Sequence, residues 1–194
     1  LGAASIVAGL VLGLGLAMAR LYGPGPVRFV TRLYIDTFRS IPLLVLLIIV
    51  YYALPFVGLR LSPFASAMSA LTLVSGAYTA EIFRAGIEAI PKGQFEASAA
   101  LGLNGRQTMA DVILPQALRP VLPALGNYLI SILKDTPVLS AITVVEIMQR
   151  AKNIGSESFR YLEPITMVGV FFLILSLGLA WCVRRLENRM ELAR

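Results

Sequence analysis

An all-α membrane protein is the fold class this sequence predicts, and three observations predict it. The chain of 194 residues is 57% hydrophobic and 14% charged, where soluble domains carry about a quarter charged residues. Its mean hydropathy is +0.78. The charges fall in clusters separated by apolar runs of about 20 residues, the length a helix needs to cross the hydrocarbon core. Finally, Lys and Arg are unevenly shared among the connections between runs. In a soluble protein the formal net charge of +6 would raise nucleic acid as a partner. Here basic loops at a lipid surface account for it, and membrane lipid rather than nucleic acid is expected.

Five spans follow in order. Residues 1–19 are uncharged and begin without Met, so the first helix is expected to be trimmed at its start. Their end, AMAR, has the small-x-small form of a signal-peptidase site, but the run is longer than a typical h-region and no basic segment precedes it. Residues 40–59 (including IPLLVLLIIVYYALPFVGL) form the second run, and residues 61–80 the third. The third is rich in Ala and Ser, which let helices approach closely and suit the interior of a bundle. Residues 112–133 hold Arg119, Pro115, Pro120 and Pro123, and residues 164–183 are clean. A further apolar stretch, 136–145, is about half a span long and reads as a re-entrant or membrane-edge segment. All 194 residues are expected to make one transmembrane domain.

Charge sets the expected orientation. The first loop holds Arg20, Arg28, Arg32 and Arg39 against Asp36, the second only Arg60, and the third Arg84, Lys92 and Arg106. The tail holds Arg184, Arg185, Arg189 and Arg194. The first loop, third loop and C-terminus are therefore expected in the cytoplasm, with the N-terminus outside. The fourth loop runs against this, carrying Lys134, Arg150, Lys152 and Arg160 on the outer side; its acids count little in the rule.

Composition also narrows the chemistry. With no His and the single Cys182, the usual zinc, haem and Cys/His-nucleophile sets are absent, as is any intrachain disulfide. No metal site or catalytic residue is expected. There is no G-x-x-x-x-G-K-[ST], so the chain lacks a phosphate-cradling loop of its own; GPGP at residues 23–26 is a turn.

The segment EASAALGLNGRQTMADVILP, residues 96–115, breaks the apolar runs with Glu96, Asn104, Arg106, Gln107, Thr108 and Asp111. The third helix continues past its apolar run through Ile82, Phe83, Ile87 and Ile90 until Pro91, which lacks an N–H and clashes with the preceding turn. A short helix over GQFEASAAL is expected next, with Glu96 near its positive end and Ala97, Ala99 and Ala100 supplying helix propensity. Gly102 ends it in a left-handed conformation, and a new helix re-enters the membrane near Leu114 and Pro115. By itself this describes a loop of about residues 91–111 lying across one mouth of the bundle, which an ordinary amphipathic connection would also satisfy.

The spacing is more specific. Glu96-Ala97-Ser98, three residues, Gly102, nine residues, Val112, one residue and Leu114-Pro115 resemble the EAA loop of ABC-transporter permeases, EAA-x3-G-x9-I-x-LP. Ser98 stands where Ala is usual and Val112 where Ile is usual. The stretch AYTAEIFRAGIEAIPKGQFEASAALGLN is similar to the polar amino acid uptake subfamily throughout. FRSIPLLVLLIIVYY resembles that subfamily's FRGTPLL-type start, and KDTPVLSAI its KDTSL-type segment, with Pro137 in place of Ser. The resemblance covers nearly the whole chain. It implies a type I importer permease of a bacterial inner membrane, with five helices and a coupling helix. It also implies a second permease, identical or paralogous, two ATP-binding subunits holding ATP and Mg, and an external solute-binding protein. Glu96, Ala97, Gly102, Leu114 and Pro115 would then couple the chain to ATP hydrolysis, Glu96 pairing with the partner or capping the helix.

For the pathway, Arg119, Pro123, Asn127, Ser131 and Lys134 recur at steps of four, four, four and three, on one side of a helix. The stripe suits a water-lined path; interhelical hydrogen bonds for Asn127 and Ser131, with snorkelling of Arg119 and Lys134, explain it equally. Asn127, Ser131, Lys134, Asp135 and Glu146 are the candidate contacts to a zwitterion, with Lys134–Asp135 also readable as a local pair. Tyr51, Tyr52, Tyr78 and Trp181 read as anchors or packing. The expected function is the permease of an ATP-driven amino acid importer. Alternatives are a permease half for another small polar solute, a channel-like protein, or a membrane enzyme. An enzyme would need a converging catalytic set that these sparse acids do not offer.

Overall fold

The computed structural model describes residues 2–191; Leu1 and the last tail charge, Arg194, lie outside them. The described residues form nine α-helices joined by short π- and 3-10-helical turns, with no strand among them. In order these are α1 (Gly2–Tyr22), α2 (Gly25–Ser40), α3 (Leu43–Ile48), α4 (Pro63–Glu88), α5 (Lys92–Ala100), α6 (Gly105–Gln107), α7 (Leu114–Asp135), α8 (Ile147–Ser158) and α9 (Leu162–Glu191).

The core is built around α4. Its 26 residues give a rod about 39 Å long at 1.5 Å per residue. Its small side chains, among them Ser66, Ala67, Ala70, Ser75, Ala77 and Ala80, are buried. Helix α1 packs on it most extensively, and Gly9 and Gly13 make this possible. A Cβ on Gly9 would stand 2.4 Å from Ser75 Cβ, and one on Gly13 1.9 Å from Thr79 Oγ1. This small-xxx-small seam lets backbones meet without bulky side chains between them. Thr79 seals it, its hydroxyl lying 2.7 Å from the Ser75 carbonyl and 3.0 Å from that of Gly9. At the far end of the seam Arg20 of α1 pairs with Glu81 at 3.0 Å, and Arg84 bridges Glu81 and Glu88.

Residues 20–39, expected as the first loop, are mostly helix α2. Thr31 and Ile35, four residues apart, turn inward and are buried, while Arg28, Phe29, Arg32 and Leu33 remain exposed. At Ile41–Pro42 the chain bends by 103° into the segment from Leu43 to Val57, where α3 continues through a π-helical turn and a 3-10 turn. Leu46, Leu47 and Val50 from this segment join Leu71 and Val74 of α4 in the main apolar cluster. By length and apolar composition α1 and α9 qualify to cross a membrane, or up to four segments if each of two bent pairs counts as one.

The half-length apolar stretch after α7 is a 3-10 helix, Thr136–Ile142. Leu139 and Ile142 are buried in the cluster just named. Beyond it Thr143 takes φ 59, and a 48° bend separates the continuous helical run Gly105–Ile142 from α8. Lys152 of α8 ties back by donating to Ser140 Oγ at 2.8 Å.

Candidate functional site

The predicted short helix is α5, Lys92–Ala100. One side of it is held to the bundle: Phe95 packs on the cluster of Ile87, Ile113 and Ala117. Ser98 is buried, its hydroxyl donating to the Gln94 carbonyl at 2.7 Å. Gln116 Nε2 of α7 donates both to Gln94 Oε1 at 3.1 Å and to the Val112 carbonyl at 2.9 Å. The opposite side of α5, with Glu96, Ala97, Ala99 and Ala100, is exposed, and Leu101 beyond it is 78% exposed. A small helix thus presents a shallow, small-residue surface over an apolar foundation.

Its end is closed by a Schellman arrangement. Leu103 N–H donates to the Ser98 carbonyl and Gly102 N–H to the Ala99 carbonyl, with Gly102 at φ 73. That conformation is sterically cheap only for glycine. Asn104 and Gln107 then cap the next turn reciprocally, each backbone N–H meeting the other's side chain at 3.0 Å. A π-helical turn, Thr108–Ile113, leads into α7, with Leu114 and Pro115 exposed in its first turn. One expectation is corrected: Glu96 neither caps α5 nor lies in its first turn. The helix starts at Lys92 behind Pro91 and has no side-chain cap, so Glu96 sits mid-helix on the exposed side.

The polar stripe of α7 does not converge on one path. Pro123 is buried, while Arg119, Asn127, Ser131 and Lys134 are exposed. Ser131 and Asp135 line a cleft of about 340 Å³ between the α2–α3 bend, α4 and α7, which Arg39, Pro42, Tyr78 and Tyr128 complete. Lys134 instead borders a groove against α9, and Arg119 a separate hollow near the α4–α5 joint. Lys134 and Asp135 therefore diverge rather than pair. Glu146 stands apart from the cleft as the N-cap of α8, accepting from Met148 N–H at 2.8 Å and Gln149 N–H at 2.7 Å. Its lone pairs serve the helix.

Aromatic residues organise the cleft, and the sequence reading missed this. The Tyr78 and Tyr128 rings stack 5.3 Å apart at 16°, and the Arg39 guanidinium lies 5.5 Å from the Tyr78 ring centre. Tyr78 also donates from its hydroxyl to the Arg39 carbonyl at 3.4 Å. The available signal was the spacing of Tyr128, Ser131 and Asp135 at steps of three and four, one helical stripe. Trp181, by contrast, is on exposed α9 with Arg185 3.9 Å from its ring.

Both the sequence and the overall fold of this bundle match known proteins. The sequence profile of binding-protein-dependent transport system inner membrane components fits residues 9–192. The chain belongs to this family. It is similar to the glutamine transport system permease protein GlnP of Escherichia coli (strain K12). The two are 41% identical over 189 residues, covering 96% of this chain and 86% of that one. The arginine transport system permease protein ArtQ of Bacillus subtilis is 37% identical over 188 residues, with 96% and 86% covered. Among solved structures, an amino acid ABC transporter with histidines superposes with a TM-score of 0.92 at 34% identity, covering 97% of this chain and 88% of the other. The inward-facing MetNI methionine ABC transporter gives 0.75 at 25% identity, with 97% and 88% covered. This permease component therefore has the type I importer fold.

Proposed function

We propose that the chain is one transmembrane half of an ATP-driven importer for a polar or charged amino acid, with α5 as the lever on which an ATP-binding subunit acts. The observation that carries this is α5 itself. Its exposed side, with Glu96 and Ala97, is free to seat in a partner, and its inner side is anchored through Phe95 and the Gln94–Gln116 bond. Motion imposed on α5 would reach α7 through that bond and through the turn that ends at Leu114 and Pro115. ATP and Mg belong to the partner, since this chain has no phosphate-binding loop.

The cleft suits a zwitterion. Asp135 offers a carboxylate to an ammonium group and Arg39 a guanidinium to a carboxylate, with the Tyr78–Tyr128 stack as an apolar wall. Ser131 adds a hydroxyl, while Asn127 and Lys134 flank the cleft on α7 as secondary contacts; Glu146, engaged as a cap, contributes least. The names of the relatives, which specify glutamine and arginine transport, favour amino acids over other small solutes. A second permease, a pair of ATP-binding subunits and an external solute-binding protein complete the assembly. The Lys and Arg distribution supports a cytoplasmic α5 and C-terminus with the N-terminus outside.

The test is reconstitution. The chain should copurify with an ATP-binding subunit, and proteoliposomes should import a radiolabelled amino acid only with ATP and the solute-binding protein present. Uptake that proceeds at full rate without ATP would mean a channel-like protein instead.

A further inference from the structure

A second polar hollow lies away from the cleft, at the joint between α4 and α5. Its volume is about 550 Å³, and its walls include Ile90 and Pro91 of the joint, Gln116, Arg119 and Pro123 of α7, and Glu187 of α9. That volume is within the usual span of small-molecule sites, about 300–1,000 Å³. Arg119 and Glu187 bring opposite charges to one space, yet among the described residues neither makes an ion pair or hydrogen bond, with the other or with anything else. Two opposite charges held apart across a partly apolar hollow are best satisfied by one small molecule carrying both complements. A ligand with a single charge would meet only one of the two groups, exposed Arg119 or half-buried Glu187, and leave the other without a partner.

The hollow is also mechanically connected. Ile90 and Pro91 are the joint about which α5 leaves α4, and Gln116 is the residue whose amide holds Gln94 of α5. A molecule seated between Arg119 and Glu187 would therefore brace the root of α5 from behind, on the side away from Glu96 and Ala97.

We propose that this hollow is a regulatory site for a free α-amino acid, its carboxylate on Arg119 and its ammonium on Glu187, and that occupancy slows transport by restraining the α4–α5 joint. The inference rests on the importer reading, under which the hollow opens on the side where imported solute accumulates.

The test uses the complete transporter in proteoliposomes with α5 facing the lumen. Binding-protein-dependent uptake and ATP hydrolysis are measured with the lumen preloaded with L-glutamine, L-arginine or L-glutamate, each tested separately. At least one should slow wild-type uptake several-fold. Arg119→Gln and Glu187→Gln should each keep basal uptake and lose that response, and the exchange Arg119→Glu with Glu187→Arg should restore part of it. Equilibrium binding of the radiolabelled amino acids to the detergent-solubilised transporter, without binding protein, should lose one class of site in both single variants, independently of turnover. A wild type that imports but ignores all three lumenal amino acids overturns the proposal, as do variants inhibited like wild type. Because a phosphatidylethanolamine headgroup also carries an anion and an ammonium, vesicles of phosphatidylglycerol with and without it form a second arm. A response that follows this lipid and not the amino acid overturns the proposal too. A wild type with no uptake at all contradicts the importer reading instead.

Discussion

Gly13 and Glu146 show how much a single position can decide. At Gly13 any side chain would collide with Thr79 and with the backbone of Ala80, 2.9 Å from where a Cβ would stand. Gly13→Leu is therefore expected to destabilise the bundle by about 1–3 kcal/mol through overpacking, lowering the thermal midpoint in detergent; an unchanged midpoint would refute the α1–α4 seam. Glu146 tests cap against ligand. Losing the cap in Glu146→Ala should cost about 1 kcal/mol, whereas Asn is a good capping residue. Glu146→Asn should then preserve both stability and uptake. If instead the carboxylate binds a substrate ammonium, Asn would reduce uptake as much as Ala does. The Gly9-x-x-x-Gly13 spacing is a sequence signal of close helix approach, but its partner Thr79 on α4 is not readable from it. A cap such as Glu146 is recognised only once the helix start is known.

At the scale of elements, α5 was the most legible part of the chain because residues with local meaning bound it. Pro91 cannot continue α4, and Gly102 takes the left-handed turn whatever lies around it. Helix α2 was missed for the opposite reason. Arg28, Arg32 and Arg39 interrupt any apolar run, so counting toward a full span passes over a helix that buries only a narrow face, Thr31 and Ile35. The 103° bend at Ile41–Pro42 is likewise tertiary, and so the cleft it helps enclose could not be assembled from sequence. The anchoring of α5 makes a paired prediction. Phe95→Ala removes its apolar foothold and should lower ATP-coupled uptake several-fold while leaving the chain inserted. Ser98→Ala should cost no more than about 1 kcal/mol of stability and leave uptake near wild type, because the Ser98 hydroxyl only returns to a carbonyl of its own helix. Equal losses of uptake from both changes would contradict Phe95 as the foothold that anchors α5.

For the whole molecule, the stripe on α7 is instructive. Arg119, Asn127, Ser131 and Lys134 share one broad side of the helix, but α9 covers part of that arc and α4 another. The residues therefore border different spaces: Asp135 and Ser131 the cleft, Lys134 the α9 groove, Arg119 the hollow behind α5. Periodicity predicts a shared side; only the packing of neighbours decides which cavity each residue meets. Orientation is open to direct measurement, since the sole cysteine, exposed Cys182, can be replaced by Ala. In that background a membrane-impermeant maleimide should label Ser158→Cys in intact cells and Gly93→Cys only after permeabilisation. The reverse pattern would overturn the orientation inferred from charge.

If α5 transmits ATP hydrolysis to the pathway, its C-terminal end is the place to break the transmission. Placing Asp at Gly102, where φ is 73, strains a left-handed turn by about 1–2 kcal/mol. It also sets a charge beside the proposed docking surface, without a steric clash, since nothing lies within 4 Å of where its Cβ would be. ATP-dependent amino acid uptake by reconstituted Gly102→Asp transporter is the decisive measurement. Uptake should be abolished while the permease remains inserted at wild-type abundance; uptake at the wild-type rate would contradict the account.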